Sequence, residues 1–449
     1  VAKELVHVGG QLQLFLDDWL IERMDNLSLK LHSPEPREIA IQADRPYETP
    51  SLYDPVVIED GGRYRLWYRA NFEAPPYYTA YAESPDGVHW TKPSLGLIEY
   101  QGSADNNLLW PVAGGDGHVL SIFRDGNPQA TEAERYKAIA IGNIRKDIAG
   151  LVSPDGIHWQ NLRPEPLITG PEGDPHFDSH NIAFWDAAQG QYVAYLRGWQ
   201  RRGVRDIRRS TSPDFRRWST LEYIDMGDAP AEHLYKNAAT PYYRRPDVYL
   251  MFPKRFLPER RCDPEHEPGL SDIVFMSSRD GVRWDRRFME AFIRPGRDQK
   301  NWHHRAIEVG QGLVPTGEGE MSLYMVANYY TPAVHIRRMV LREDGFVSVH
   351  APHQGGEWVS RPLIFAGDAL VLNYATSAAG SIRAEVQDAA GRALPGFGLG
   401  EAQELYGDEL ERVVTWGEGA GLGRLSGQPI RLRLAMKDAD LYSLRFRDS

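Results

Sequence analysis

SPDGVHW, residues Ser84–Trp90, returns as SPDGIHW at Ser153–Trp159. Two looser copies follow, SPDFRRW at Ser212–Trp218 and SRDGVRW at Ser278–Trp284, and a degraded one, REDGFVSV, begins at Arg342. The four clear copies keep Ser, Asp two residues later, a bend residue, and a closing Trp. Ser and Asp side chains bond nearby backbone amides in tight bends, so the motif reads as a turn at the end of a strand. The copies lie roughly 60 to 70 residues apart, a period that points to a propeller or an array of like units. Five copies predict five blades.

The residues before each turn support this. YDPVVIED, RYRLWYRA and YYTAYAES precede the first copy, and HNIAFWDA, QYVAYLRG and RDIRRSTS precede the third. Each is a short aromatic or β-branched run bounded by Gly, Asp or Pro, as antiparallel strands are. GG at 61–62, QGQ at 189–191 and RRPD at 244–247 mark hairpins between first and second strands. Three strands plus one opened by each Trp make a four-stranded blade. The expected fold is therefore all-β: a five-bladed β-propeller over 46–354, with units at about 50–100, 101–170, 171–228, 229–297 and 298–352. Residues 1–45 form an extension whose LQLFLDDWLIE run is expected to pair with the last blade and close the ring, removing exposed sheet edges. Beyond 355, IRAEVQDA, PIRLRLAM and LYSLRFRD alternate in hydropathy between Gly-rich turns, which predicts a C-terminal β-sandwich over 355–449 with an accessory role.

Composition narrows the partners. A net charge of −11 argues against nucleic acid, whose phosphates need a basic surface. No apolar run approaches the roughly 20 residues of a spanning helix, so no membrane partner is expected. VAKELVHVGG lacks the layout of a signal peptide, and the expected protein is soluble, cytoplasmic or secreted after removal of a leader. The lone Cys262 has no disulfide partner and reads as a bystander thiol. The 12 Trp and 22 Tyr suit strands and also offer flat faces to sugar rings, so a carbohydrate partner fits.

The Ser-x-Asp-(Gly/Phe)-x-x-Trp turn, Tyr53-Asp54-Pro55 and the count of five blades together resemble the five-bladed propeller glycoside hydrolases. These are the arabinanase and xylosidase, invertase and fructosidase, and mannoside phosphorylase groups. The LFLDDWLIE run is also similar to an uncharacterised set of bacterial propeller glycosyl hydrolases. The resemblance covers about 45 to 352 and implies a funnel on the ring axis, lined by the first strand of each blade, where carboxylates converge. This sequence lacks the Trp-Met-Asn-Asp-Pro, Arg-Asp-Pro and Glu-Cys patterns of those groups, so of their site residues only the first-blade position transfers directly.

Glycoside cleavage needs one carboxyl to protonate the leaving oxygen and one to attack or to activate water. On the expected first strands, Asp54 stands before PVVI as base or nucleophile, with strand-entry capping as its plain alternative. HFDSHNIAFWD offers Asp178 as a second carboxylate beside His180 and Asn181. FRDGNP offers Asp125, although Asp-Gly before Asn-Pro is also a turn signature. EHLYKNAATPYY brings Glu232, with Tyr235, Lys236 and Asn237 as substrate contacts, and NWHHRAIEVGQG brings Trp302, His303, His304, Arg305 and Glu308. Either glutamate could be the acid. Adjacent His303 and His304 point to opposite faces of a strand, and there is no HExxH, Cys pair or EF-hand loop. No cofactor or catalytic metal is expected, which leaves room only for a structural cation on the axis.

Lys236, Lys254, Arg305, Arg197 and Arg69 concentrate positive charge near the expected axis of an acidic protein. They favour an anionic ligand such as a uronate, a sulfated sugar or phosphate, or else they hold the carboxylates ionised. The leading expectation is an exo-acting glycosidase. The alternatives are a glycoside phosphorylase and a non-catalytic carbohydrate-binding propeller.

Overall fold

The computed structural model describes residues 4–50, 52–70, 77–109, 120–142, 147–171, 177–199, 203–417 and 421–449. The regular structure of the described residues is almost entirely β-strand, in mostly antiparallel sheets of which three have four strands. It divides into two compact units, residues 34–340 and residues 1–33 with 341–449. Among the described residues no helix is long and apolar enough to cross a membrane.

Residues 34–340 hold five consecutive sheet modules. Sheet I runs Tyr53–Glu59, Tyr64–Ala70, Tyr78–Ser84 and Leu108–Leu109; sheet II runs Ser121–Arg124, Tyr136–Ile141, Ile148–Ser153 and Gln160–Asn161. Sheet III runs Ile182–Asp186, Gln191–Gly198, Asp206–Ser212 and Glu222–Tyr223. Module IV is split in two. His233–Leu234 pairs with Lys254–Leu257 and Leu270–Ile273, and Thr240–Tyr242 pairs with Arg245–Met251 and Met276–Ser278. The break has a cause in the sequence: Pro253 cannot donate to a ladder, and Ala238, between His233–Leu234 and Thr240–Tyr242, takes φ +45°. Sheet V contains Glu308–Val309, Glu320–Ala327 and His335–Arg342, and its outer strand is Glu35–Gln42.

That outer strand corrects one expectation. LQLFLDDWLIE does not join the last module: Gln13–Leu14 pairs with Leu444 and Ser443, and Ile21–Asp25 pairs along Gly356–Ser360. The physical reason is burial, because Phe15, Leu20 and Ile21 belong to the apolar core around Trp358 and Phe446. Glu35–Gln42 carries Pro36 and charged residues and is mostly exposed, as suits an edge strand. The degraded copy at Arg342 departs too. It has no Trp to return the chain to its sheet, and the next strand, Val347–Ala351, pairs with Ser28–Leu31 in the other unit. The division accordingly falls at 33/34 and 340/341 rather than at 45/46 and 354/355.

The first strands of modules I, II, III and V meet side by side. Gln311 N donates to Pro55 O at 2.9 Å and Val57 N donates to Gln311 O at 2.9 Å, joining sheet V to sheet I. Ser121 Oγ donates to Gln311 Oε1 at 2.7 Å and accepts from Ala183 N at 3.0 Å, drawing in sheets II and III. Glycine is required at this seam. A Cβ on Gly310 would lie 2.1 Å from Pro55 O, and one on Gly312 would lie 2.1 Å from Val57 O. Away from the seam a repeated latch links neighbours: the Asp ending one first strand accepts a Tyr hydroxyl from the next sheet's second strand. Asp60 takes Tyr136, Asp125 takes Tyr192 at 2.7 Å, and Asp186 takes Tyr249 at 2.7 Å.

The opening motif is a turn in each clear copy. Asp86 Oδ1 accepts from Val88 N and His89 N, Ser84 Oγ accepts from Gly87 N, and Trp90 Nε1 donates to Gly87 O. Asp155, Asp214 and Asp280 repeat the pattern. The bend residue takes a positive φ, +75° at Gly87 and +61° at Phe215, so the Phe copy retains the glycine's conformation. Second-strand aromatics then reach across: Trp67 Nε1 donates to Gly156 O at 2.9 Å and Tyr195 OH to Gly281 O at 2.7 Å. The turns therefore join sheets and stand apart from the first-strand seam.

The other unit is built on two long antiparallel strands, Ala369–Gln387 and Arg431–Arg447. With Gln13–Leu14, Ile21–Asp25, Ser28–Leu31, Val347–Ala351, Gly356–Ser360 and Asp408–Val413 they form an eight-stranded sheet over a core of Trp358, Phe397, Trp416, Leu432 and Phe446.

Candidate functional site

Asp54, His180 and Glu308 lie at the N-terminal ends of the first strands of modules I, III and V, Lys236 lies between His233–Leu234 and Thr240–Tyr242 of module IV, and the structure brings all four together. The Lys236 ammonium contacts both the Asp54 and the Glu308 carboxylates, and Asp54 N donates to Glu308 Oε1 at 2.9 Å. Asp54 is 3% exposed and Glu308 is fully buried. Asp54 takes φ +49°, a left-handed conformation that a non-glycine residue holds only where its surroundings impose it. Arg69 Nε is 3.6 Å from Asp54 Oδ2, and His180 Nδ1 is 4.0 Å from Asp54 Oδ1. His180 Nε2 faces the Leu120 carbonyl at 2.9 Å, so that nitrogen carries a proton.

Aromatic faces complete the floor. Tyr53 has the Lys236 Nζ 3.7 Å and the Arg69 Cζ 4.6 Å from its ring centroid, and it stacks on Tyr329 at 3.9 Å. Lys254 Nζ donates to Tyr53 OH at 2.6 Å and to Arg305 O at 3.0 Å, and lies 3.9 Å from Glu308. A small cavity beside Asp54, lined by Val56, Trp67, Tyr68, Arg69 and Leu120, has room for about one water.

Charge sets the protonation states. Burial alone would raise the Asp54 carboxyl, but Lys236, Arg69 and His180 outweigh it and hold it well below the usual carboxylate range. Burial pushes the Lys254 amine well below its ordinary value, and it pushes the His180 imidazole down against the opposing pull of Asp54. Beside this pair, Tyr235 is ringed by cations: Arg197 and Arg205 lie 4.4 and 4.8 Å from its centroid, and Arg305 Nη1 is 3.3 Å from its hydroxyl. Burial would raise that phenol, yet Arg197 and Arg305 bring it below its ordinary value.

Other expected site residues stand elsewhere. Glu232 is bound by Arg255 at 3.0 Å and Arg286 at 2.8 Å, and Arg255 also holds Asp272; alternation along Lys254–Leu257 sends Arg255 to the face opposite Lys254. Asp125 sits at the far end of its first strand, paired with Lys137 as part of the Tyr192 latch. Asp178 is exposed, and its charge acts on Arg197, Arg205 and Tyr235 rather than entering the Asp54 pair. Asn181 fastens backbone, donating to Phe177 O and Ser179 O and accepting from Arg197 N; Asn237 does the same at the module IV break. Trp302 donates to Gly296 O. His303 is buried against His266, and burial with neighbouring Arg305 holds His304 down at about 4. Among the described residues no cluster of three or more His, Cys, Asp or Glu is placed to hold a metal. Tyr329 and Arg205 went unremarked in the sequence. NYYTP and the basic run ahead of DIRRSTS were the available signals.

No family model matches the chain. Two uncharacterized proteins of Mycobacterium tuberculosis are each 39% identical over 141 residues, 30% of this chain; the chain spans only 41% of the length of these curated relatives. Among solved structures, a glycoside hydrolase overlays with a TM-score of 0.46 at 15% identity, covering 68% of this chain and 92% of that one. A glycosyl hydrolase from Bacteroides ovatus overlays at 0.42 and 14% identity, covering 74% and 97%. The alpha-L-arabinanase of Penicillium chrysogenum, complexed with arabinobiose, overlays at 0.41 and 12%, covering 71% and 99%.

Proposed function

We propose that residues 34–340 close into a five-bladed propeller and that the protein cleaves O-glycosyl bonds at the end of the ring where Asp54 stands. The observation that carries this is the carboxylate pair: Asp54 and Glu308, from the first and last modules, share one lysine ammonium. Asp54, held ionised by its cationic neighbours, serves as nucleophile, and Glu308 is the proton donor. Because both carboxyls reach one Nζ, their facing oxygens lie no more than about 6 Å apart, two hydrogen-bond lengths. That favours the short spacing of retaining enzymes, about 5 Å, over the 6.5–9.5 Å of inverting ones. Asp54 then attacks the anomeric carbon while Glu308 protonates the departing oxygen, and Glu308 next takes a proton from the water that releases the sugar. Lys236 leaves Glu308 for this to occur and stays on Asp54.

The plain test is turnover of an oligosaccharide mixture. Asp54→Asn and Glu308→Gln lose about a thousandfold or more, within the range general acid–base groups supply, while Glu232→Gln stays near wild type. Equal turnover in all three variants would remove the assignment. Deep burial of both carboxyls on Lys236 also favours a second reading, a sugar-binding protein without chemistry. Such a protein would bind sugar equally well after Asp54→Asn and release no product.

A further inference from the structure

Three guanidinium groups from two modules converge on Tyr235. Arg197, from Gln191–Gly198, is 6% exposed and spends its hydrogen bonding on the Tyr235 carbonyl at 2.9 Å. Its Nε is buried with no hydrogen-bond partner among the described residues, and the same holds for the Nε of Arg205. Arg305, at φ +57°, brings its guanidinium to the Tyr235 hydroxyl. Among the described residues no carboxylate lies within ion-pair distance of any of the three; Asp178, which acts on two of them through space, is exposed. Burying like charges together without a counter-ion is costly, and a fold keeps such a cluster where an anion completes it.

The cluster adjoins the carboxylate pair. Tyr235 precedes Lys236, its N–H donates to Lys254 O at 2.7 Å, and the Arg305 carbonyl accepts from Lys254 Nζ. We propose that Arg197, Arg205 and Arg305 bind a carboxylate or sulfate ester carried by the sugar next to the bond at Asp54 and Glu308, making the substrate an acidic glycan. This rests on the reading that this end of the ring is the substrate site. Planar guanidinium forks suit either oxyanion, and Tyr235 OH offers a fourth donor or acceptor to a neighbouring sugar hydroxyl.

The test uses the whole protein and free monosaccharides, which have no glycosidic bond, so binding is read apart from cleavage. Glucuronate, galacturonate and glucose 6-sulfate are titrated by calorimetry and thermal shift beside glucose, galactose, inorganic sulfate and inorganic phosphate. At least one acidic sugar is expected to bind, with its neutral parent at least about tenfold weaker, and Arg205→Ala to weaken the acidic sugar by about tenfold to a hundredfold, the usual effect of losing a charged hydrogen bond. A uronate response without a sulfate response identifies a carboxylate site, and the reverse a sulfate-ester site. Neutral and acidic sugars binding alike, no acidic sugar binding, inorganic anions binding as tightly as the sugars, or an unchanged affinity in Arg205→Ala would each overturn the proposal. Failure here with active cleavage of neutral glycans would leave the glycosidase reading standing. Uronate binding by a protein that cleaves nothing would do the opposite.

Discussion

Replacing Lys236 by Met keeps the aliphatic stem and removes the one charge shared by Asp54 and Glu308. Two carboxylates about 5 Å apart at an effective dielectric near 20 repel by about 3 kcal/mol. At 1.36 kcal/mol per pKa unit, this raises the upper step of the pair by about two units, so the variant holds a proton to an apparent pKa of about 6. The signs then differ between the two proteins. In wild type the Asp54 carboxyl is depressed, so its contribution is present above the unfolded value, near pH 4, and is lost only as pH falls below it. In Lys236→Met the folded pair has a raised value, so the destabilisation is full above pH 7 and is relieved as pH falls toward 5. Urea unfolding followed by tryptophan fluorescence at pH 5, 6, 7 and 8 should show a deficit of about 3 kcal/mol at pH 8, shrinking by more than half at pH 5. A deficit that is absent, or the same at pH 5 and 8, would refute the reasoning that the lysine neutralises a coupled buried pair.

Further predictions concern the framework. Gly312→Ala, whose Cβ would lie 2.1 Å from Val57 O at a backbone φ of +112°, should cost more than about 3 kcal/mol by denaturant midpoint, because the neighbouring atom is backbone and cannot yield. Asp86→Ala removes the acceptor for Val88 N and His89 N and should cost about 1 kcal/mol with turnover unchanged, measured by unfolding and by sugar release. Glu232→Ala should lower stability by leaving Arg286 without its carboxylate partner and Arg255 with Asp272 alone, and leave the pH–rate profile unmoved. If the profile shifted instead, the ion pairs around Glu232 would not be its whole role.

The turn motif made the modules legible because its signal is local: Ser, Asp, a bend residue and Trp act within seven residues. Counting back from each copy located the first strands, and with them Asp54, Asp178, His180, Glu232, Lys236, Arg305 and Glu308. What stayed hidden depends on partners far along the chain. Glu232 and Glu308 look alike in sequence, and only the pairing of Lys254–Leu257 with its neighbours sends Arg255 to one and Lys254 toward the other. Asp125 read as a site residue because nothing in FRDGNP announces Tyr192, 67 residues away. Glu35–Gln42 was overlooked since an edge strand with Pro36 resembles a loop, whereas the apolar LFLDDWLIE resembled a closing strand while serving another core. Arg205 drew no notice in its basic run, and the structure places it over the Tyr235 ring.

The central claim places cleavage between Asp54 and Glu308. A crystal structure of Asp54→Asn with an acidic oligosaccharide tests it most directly. The account predicts the anomeric carbon within about 3.5 Å of the substituted side chain and the glycosidic oxygen within about 3 Å of Glu308, with Lys236 displaced from that glutamate. A sugar bound elsewhere on the chain, with Lys236 still bridging residue 54 and Glu308, would contradict it.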